Sequence, residues 1–446
     1  MFIPVAPYVA DLLKELPADE VQAAIAAPMP ADSGRYLHWD KLQRLPAPEG
    51  LTSKQWWLKV KLARASERRR LPLTDTYGRS FGFTLPDVVL RHLHHVDQRC
   101  SGEIGMEKVV TSEKEAERRF LVNSLMEEAI RSSQLEGATT SRVVAKEMLR
   151  SGRIPKGRGE RMIANNYCAL QFVQEELPGD LTPEAVLELH RIVTEGTLDN
   201  PDAAGRLQRP DEERVAVFDR DDQERPVHRP PPAEELPQRM ELLCRFANGA
   251  DDSDQFVHPV ARAILLHFWL AYDHPFEDGN GRTARILFFW AMRKYGYWLA
   301  EYLPISRFIR KAPAQYERAF LETETDEGDT TYFLIHQLRV IEQAITDLDR
   351  YLQRKIAEQS EMKRMLHDIE GLNGRQLVLL THAAKNPDHT YTFAGHARSN
   401  RVTHETGRAD LGDLAERGFL IRRRRGRTYV FEVPDDLPER LRESGK

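Results

Sequence analysis

Cysteine is scarce: Cys100, Cys168 and Cys244 are the only three in 446 residues, and no two form a C-x-x-C pair. Neither a disulfide framework nor a zinc knuckle is expected from that spacing. Glycine and proline, 26 of each, are too few for a collagen-like or low-complexity chain. No uncharged apolar run approaches the roughly 18 residues a membrane span needs. The opening stretch Met1–Ala10 is apolar but lacks a basic region and runs into Asp11, Lys14 and Glu15. No signal peptide is expected there, and the chain is expected to be cytoplasmic. An excess of positive charge is missing too, since 64 Lys and Arg stand against 69 Asp and Glu. Any nucleic-acid footprint would therefore have to be local. Neither G-x-x-x-x-G-K-[ST] nor H-E-x-x-H occurs, which removes support for P-loop and zincin chemistry.

What is present is a chain long enough for about three domains at roughly 150 residues each, with mostly helical periodicity. An amphipathic helix is expected between Glu113 and Leu149, where Phe120, Leu121, Leu125 and Ile130 form an apolar stripe. Val186, Leu189 and Val193 belong to another, with Thr182 as N-cap and Pro183 at the first helical position. Around Val215-Ala216-Val217-Phe218 the rhythm changes to a short strand, a charged turn Asp219–Arg225 and a returning strand stopped by Pro230–Pro232. Buried-looking helices follow over Pro259–Tyr272 and Arg282–Tyr297, and a long one over Thr331–Lys363. Tyr36–Asp40 and Trp56–Leu62 belong to a folded N-terminal region but name no chemistry.

The chemistry concentrates in His274-Pro275-Phe276-Glu277-Asp278-Gly279-Asn280-Gly281-Arg282-Thr283-Ala284-Arg285. Gly279 and Gly281 let successive backbone N–H groups converge on one point. They precede a helix, whose N-terminus adds unpaired donors and partial positive charge, a combination that favours phosphate. Arg282 and Arg285 lie on the first helical turn and can grip phosphoryl oxygens in a fork. Asp278 offers a hard oxygen to Mg²⁺, which usually takes one or two carboxylates plus substrate phosphates. His274 can accept a proton from a nucleophile near neutral pH. Base, metal ligand and anion cradle together indicate attack on a nucleotide phosphate. The segment 279–284 also satisfies G-x-G-x-x-A, but a dinucleotide fingerprint needs a preceding strand, and Arg262–Tyr272 reads as helix.

The twelve residues His274–Arg285 resemble the signature of the Fic family, H-x-F-x-(D/E)-G-N-G-R-x-x-R, at every specified position. The resemblance covers roughly Leu121–Glu327. It implies a mainly α-helical core and transfer of AMP from ATP to a hydroxyl of a target protein, or of the chain itself. His274 would be the general base, Asp278 the Mg²⁺ ligand, and Gly279, Asn280 and Gly281 the anion hole. Arg282 and Arg285 would hold the β- and γ-phosphates, and Phe276 would anchor the loop in the core.

Upstream, Ser132-Ser133-Gln134-Leu135-Glu136-Gly137 resembles the family's inhibitory motif (S/T)-x-x-x-E-(G/N). Ser132 and Glu136 share a helical face, and Gly137 can end the helix. The resemblance implies that Glu136 pairs with Arg285 and blocks the γ-phosphate position; in some relatives the same glutamate helps to remove AMP. The hairpin with Val215, Ala216, Val217 and Phe218 falls where the family carries a flap that aligns a target by strand pairing. An ordinary surface hairpin also accounts for it. Tyr316 resembles a position bordering adenine, and helical packing explains it nearly as well.

Beyond Gly371, helical stretches at Gln376–Ala384 and Arg408–Arg417 lead into a hairpin carrying Arg422, Arg423, Arg424, Arg425 and Arg427. That order is expected of a winged helix. Its arginines suit DNA phosphates, or merely protect a strand edge; in Fic proteins such modules often bind partners or dimerise. Ser399–Arg408 is a candidate recognition helix interrupted by Gly407. The domain division expected is 1–113, a catalytic core 114–330 with an inhibitory helix near 121–140 and a flap near 213–230, a connecting helix 331–365, and a winged-helix-like domain 366–437. Two rival functions fit parts of this sequence: transfer of another phosphate-containing group on the same scaffold, and an ATP-sensing DNA-binding regulator.

Overall fold

Helix Pro259–Asp273 is apolar on almost every face, and only Pro259 and Ala271 escape full burial. A helix with that pattern can only be central. Pro259 occupies its first turn, where a missing N–H costs nothing, and the His258 ring accepts from the Val260 N–H as the cap. It packs along a second apolar helix, Asn280–Lys294, and the short loop 274–279 joins the two. Helices Lys114–Leu135, Arg158–Glu175, Pro183–Thr194 and Leu236–Ala247 surround this pair.

The computed structural model describes residues 3–28, 35–101, 114–177, 179–214, 217–218, 226–250, 255–367, 369–386, 388–425 and 428–444. The chain divides into two compact units, Met1–Leu348 and Asp349–Lys446. Both are mainly helical, and their sheets are small. Thr182 caps helix Pro183–Thr194 as its sequence indicates, its hydroxyl accepting from the Ala185 N–H. The stretch expected as one helix from Glu113 to Leu149 is two, Lys114–Leu135 and Arg142–Ser151. The break falls at Gly137, whose φ of 90° no helix continues.

The N-terminal part of the first unit has its own apolar cluster of Leu12, Leu42, Trp39, Trp56, Trp57 and Leu58. Helix Ser53–Glu67 opens on a Thr52/Gln55 capping box and leads into the antiparallel pair β1 (Arg69–Thr74) and β2 (Ser80–Phe83). This region grips the loop that follows helix Pro313–Glu324. Lys61 Nζ reaches Asp326 at 2.7 Å and Glu327 at 2.8 Å, Ala6 N–H donates to Thr325 O, and Gly82 exchanges backbone bonds with Gly328 and Thr330.

Strands β3 (Val217–Phe218) and β4 (Pro226–His228) form the expected hairpin, pairing Val217 with His228 and Phe218 with Pro226. Val215, Ala216 and the expected turn Asp219–Arg225 lie outside the described residues.

In the second unit, helix Gly374–Lys385 precedes β5 (Thr390–Tyr391), helices Phe393–Asn400 and His404–Glu416, and the hairpin of β6 (Ile421–Arg425) with β7 (Thr428–Glu432). The sheet order is β5-β7-β6, all antiparallel. Leu380, Leu411, Leu414, Phe419 and Phe431 fill its core. Ser399–Arg408 is therefore not one recognition helix: it spans the turn between two helices, where Arg401 is left-handed. Helix Thr331–His367 begins in the first unit and continues past Leu348.

Candidate active site

The central helix ends on His274, which adopts a left-handed φ of 44°. A non-glycine residue is uncommon there and persists only where its surroundings hold it. They do so by gripping backbone. The His274 N–H still donates to Leu270 O (3.0 Å), and the Gln208 N–H donates to Pro275 O (2.9 Å). Arg214 Nη2 donates to the carbonyls of Asp273 (2.8 Å) and His274 (3.2 Å). Phe276 is fully buried, and His190 stacks on it with ring centroids 3.8 Å apart and planes at 6°. His190 Nδ1 accepts from the Gly205 N–H (3.0 Å), so its proton is on Nε2, which donates to Asp278 O (2.9 Å). Burial lowers the His190 pKa to about 4 and keeps that ring neutral.

Asn280 closes the loop on itself. Its Oδ1 accepts from the Phe276 N–H (3.0 Å) and its Nδ2 donates to Phe276 O (2.8 Å). With the amide fixed this way, Nδ2 also donates to His274 Nδ1 (3.1 Å), which leaves the ring proton on Nε2. The His274 pKa is drawn down to about 3, by burial first and then by His228 and Arg214. His274 is therefore a neutral imidazole at physiological pH.

Gly279 caps helix Asn280–Lys294 with a φ of 85°, a conformation glycine enters without strain. At Gly281, a Cβ would collide with Glu136 Oε1, so a carboxylate already rests on the first turn of this helix. Glu136 Oε1 accepts from Arg285 Nη2 at 2.8 Å. Ser132 holds the same guanidinium at two further points, its Oγ accepting from Nε (2.9 Å) and its carbonyl from Nη2 (3.1 Å). Burial works against the Arg285 charge, yet Glu136 and its other neighbours raise its pKa overall. The Ser132, Glu136 and Arg285 positions singled out in the sequence thus meet in space.

Arg282 is fully buried. Its Nη1 donates to Val193 O (3.0 Å) at the end of helix Pro183–Thr194, and its Nη2 stands 3.4 Å from Asp278 Oδ2. Its Nε has no partner among the described residues, an orphaned donor in a cationic group that burial disfavours. Asp278 lies at the rim with its side chain 38% exposed. It accepts from the Gly279 N–H, and Arg158 Nη2 approaches its Oδ2 to 3.6 Å. One rim carboxylate beside an anion cradle fits Mg²⁺ held chiefly through phosphate oxygens. Tyr316 does not stand apart from the arginines: its hydroxyl meets His267 Nε2 (2.9 Å) and also interacts with Arg285.

The arginines of β6 belong to the second unit. Arg422 to Arg425 are exposed, but Arg423 and Arg425 pair with Glu432 at 2.6 and 3.3 Å, and Arg422 lies over the Tyr429 ring. Arg427 is outside the described residues.

Sequence reasoning missed His190, Arg214, Arg158 and His228. His190 follows Leu189 on a helix whose apolar stripe reads as core, Arg214 acts on backbone carbonyls that leave no side-chain pattern, and Arg158 meets Asp278 across 120 positions of chain.

Residues 180–292 match the Fic/DOC family model. A protein adenylyltransferase Fic of Nematostella vectensis is 28% identical over 178 residues, 38% of this chain and 38% of that protein. The protein adenylyltransferase Fic of Drosophila melanogaster is 35% identical over 135 residues, 30% of this chain and 24% of that protein. The chain thus spans well under half the length of these curated relatives. Among solved structures, a Fic family protein from Desulfovibrio desulfuricans is alike in fold, with a TM-score of 0.51 at 17% identity, covering 79% of this chain and 98% of that one.

Proposed function

We propose, from the match of residues 180–292 to the Fic/DOC family model and the geometry of the site, that this chain is an autoinhibited protein adenylyltransferase, moving AMP from ATP to a Ser, Thr or Tyr hydroxyl of a protein. One observation carries the reading. A carboxylate of the chain, Glu136, rests on the N-terminal turn at Gly281 and pairs with Arg285, where the spacing of the loop calls for a phosphate. An acid in an anion cradle is a brake that a nucleotide has to displace.

The chain's own residues divide the work. The N–H groups at the start of helix Asn280–Lys294, with the orphaned Arg282 Nε and the Arg285 fork, bind and orient the phosphates. Asp278 would hold Mg²⁺, which when bound neutralises phosphate charge. His274 takes the hydroxyl proton as the target oxygen bonds to the α-phosphorus and pyrophosphate leaves with the electrons of the broken P–O bond. Uptake at Nε2 requires the ring's own proton on Nδ1, so the Asn280 contact has to break as the target enters. Strands β3 and β4 would align the target segment by backbone pairing.

The test is labelling by α-phosphate-labelled ATP, with the full chain carrying Glu136→Gly and with the same chain also carrying His274→Ala. Label in the first and none in the second is expected. No label in either, with ATP bound and Mg²⁺ present, would remove the proposal. A mass increment other than that of AMP would move the chain to a different transfer on the same scaffold.

A further inference from the structure

The hairpin β3–β4 and the His274 loop are joined by two side chains, one at each foot of the hairpin. Arg214 stands three positions before β3 in the chain. Besides its bonds to the Asp273 and His274 carbonyls, its Nε donates to Pro231 O (2.8 Å), past the end of β4, and its Nη1 donates to Gln208 Oε1. One guanidinium thus ties the outgoing foot, the returning foot and the strained backbone of the base.

His228 makes the second tie. It lies in β4, its Nε2 donating to Tyr272 O (2.7 Å) and its Nδ1 to Glu324 Oε2 (2.9 Å). Both partners are acceptors only, so both ring nitrogens carry protons and His228 is an imidazolium. Tyr272 O belongs to the last turn of the central helix, where unpaired carbonyls favour a cation. The groups facing it are Glu324 from helix Pro313–Glu324 and Tyr272, Asp273 and His274 at the end of the central helix. Burial opposes the charge, but Glu324 and the Tyr272 carbonyl outweigh it and raise the pKa.

We propose that Arg214 and His228 are positioning residues that hold the hairpin in register with His274, so that a hydroxyl presented along β3–β4 arrives at the base. The inference rests on the transferase reading for its consequence, but the clasp itself is measurable without any turnover. Neither residue reaches the phosphate cradle among the contacts described. Loss of the clasp would therefore lower the rate of transfer and leave nucleotide binding in place.

The experiment has two arms, both on the full chain carrying Glu136→Gly. In the first, amide hydrogen exchange over 226–231 is compared for the parent, Arg214→Lys and His228→Gln, without nucleotide. Faster exchange there, with 180–194 unchanged, is expected of both variants; unchanged exchange over 226–231 overturns the clasp. In the second, self-labelling by α-phosphate-labelled ATP is followed against ATP concentration and pH. A fall in turnover of about tenfold for Arg214→Lys, which keeps the charge but not the fork, is expected, with the KM for ATP within about twofold. The parent should lose rate as pH rises through the raised His228 pKa, because one of two donors is then lost. His228→Gln should be slower and flat over that range. A rise in KM with turnover unchanged, or an alkaline loss retained in His228→Gln, overturns the positioning role. Hydrogen exchange as expected with no label in the parent would instead count against the transferase reading alone.

Discussion

Glu136 Oε1 lies 2.8 Å from Arg285 Nη2 while the same carboxylate stands against Gly281 on the first turn of helix Asn280–Lys294. One side chain therefore occupies the second arginine and covers the helix N-terminus at once. A charge-assisted hydrogen bond contributes about 1.5 kcal/mol or more, which corresponds to roughly tenfold in an equilibrium. Glu136→Gly should raise the rate of labelling from ATP by about that factor. It also leaves the buried Arg285 with Ser132 as its remaining partner from helix Lys114–Leu135. The melting temperature of the free variant should therefore fall, and ATP with Mg²⁺ should restore it. Thermal unfolding with and without nucleotide checks both statements.

His274 sets a second expectation, in pH. Its pKa of about 3 places the base in its neutral form from mildly acidic pH upward. The group's folded pKa lies below the usual value of about 6.5, so the unfolded chain takes up the proton first as pH falls. Stability from this site is thus present above pH about 6.5 and declines as pH falls towards the folded pKa. Transfer should show no acid limb belonging to His274 between pH about 5 and 7. His274→Ala should abolish labelling and leave ATP affinity within about threefold, since His274 contributes no donor to the phosphate cradle. A labelling profile and calorimetric titration of the two proteins would decide it.

The part of this site that could be read in advance is contiguous. Base, carboxylate, glycines and arginines fall within His274–Arg285, so spacing alone brings them to one helix end. Ser132 and Glu136 were legible because a four-residue step keeps both on one face until Gly137 ends the helix. The bracing residues were not legible, since they act on backbone carbonyls across long gaps. Arg214 reaches His274 O over 60 positions, and His190 reaches Asp278 O over 88. The N-terminal region named no chemistry for a similar reason. Its Lys61, Ala6 and Gly82 act on the loop after Glu324, a partner that no local pattern indicates. The single helix expected over Glu113–Leu149 fails because periodicity does not register a left-handed glycine.

His190 is where that bracing is most testable. It gives the catalytic loop one hydrogen bond, accepts another from Gly205 and stacks on Phe276. His190→Phe keeps an aromatic face and loses both bonds, leaving buried polar backbone groups unpaired at a cost of about 1–3 kcal/mol. The variant should bind ATP less tightly and melt several degrees lower. Turnover should fall by at least about tenfold, because the Asp278 backbone leads directly into the anion cradle. Wild-type turnover in His190→Phe would show the stack alone to be sufficient.

Glu128 separates the proposed brake from its mounting. It sits eight residues before Glu136 on helix Lys114–Leu135, is buried, and accepts from the Ser306 N–H (3.0 Å) and the Ser306 hydroxyl at the start of helix Ile305–Ile309. Burial raises its pKa, and the bonds from Ser306 and the charge of Arg285 only partly offset this. An acid with a raised folded pKa favours the native state most when protonated, so its contribution weakens as pH rises from the unfolded value of about 4.3 through the folded one. Glu128→Gln removes that penalty and retains both contacts, because the serine hydroxyl can accept as readily as it donates. Its stability at neutral pH should match or exceed the parent's, and labelling should stay low. Glu128→Ala leaves Ser306 unpaired at about 1–3 kcal/mol and frees the helix that carries Ser132 and leads into Glu136. Labelling should then rise although Glu136 itself is untouched. Denaturant melts at two pH values, run beside labelling of the two variants, test this; equal labelling in both would mean that Glu136 holds its position without Glu128.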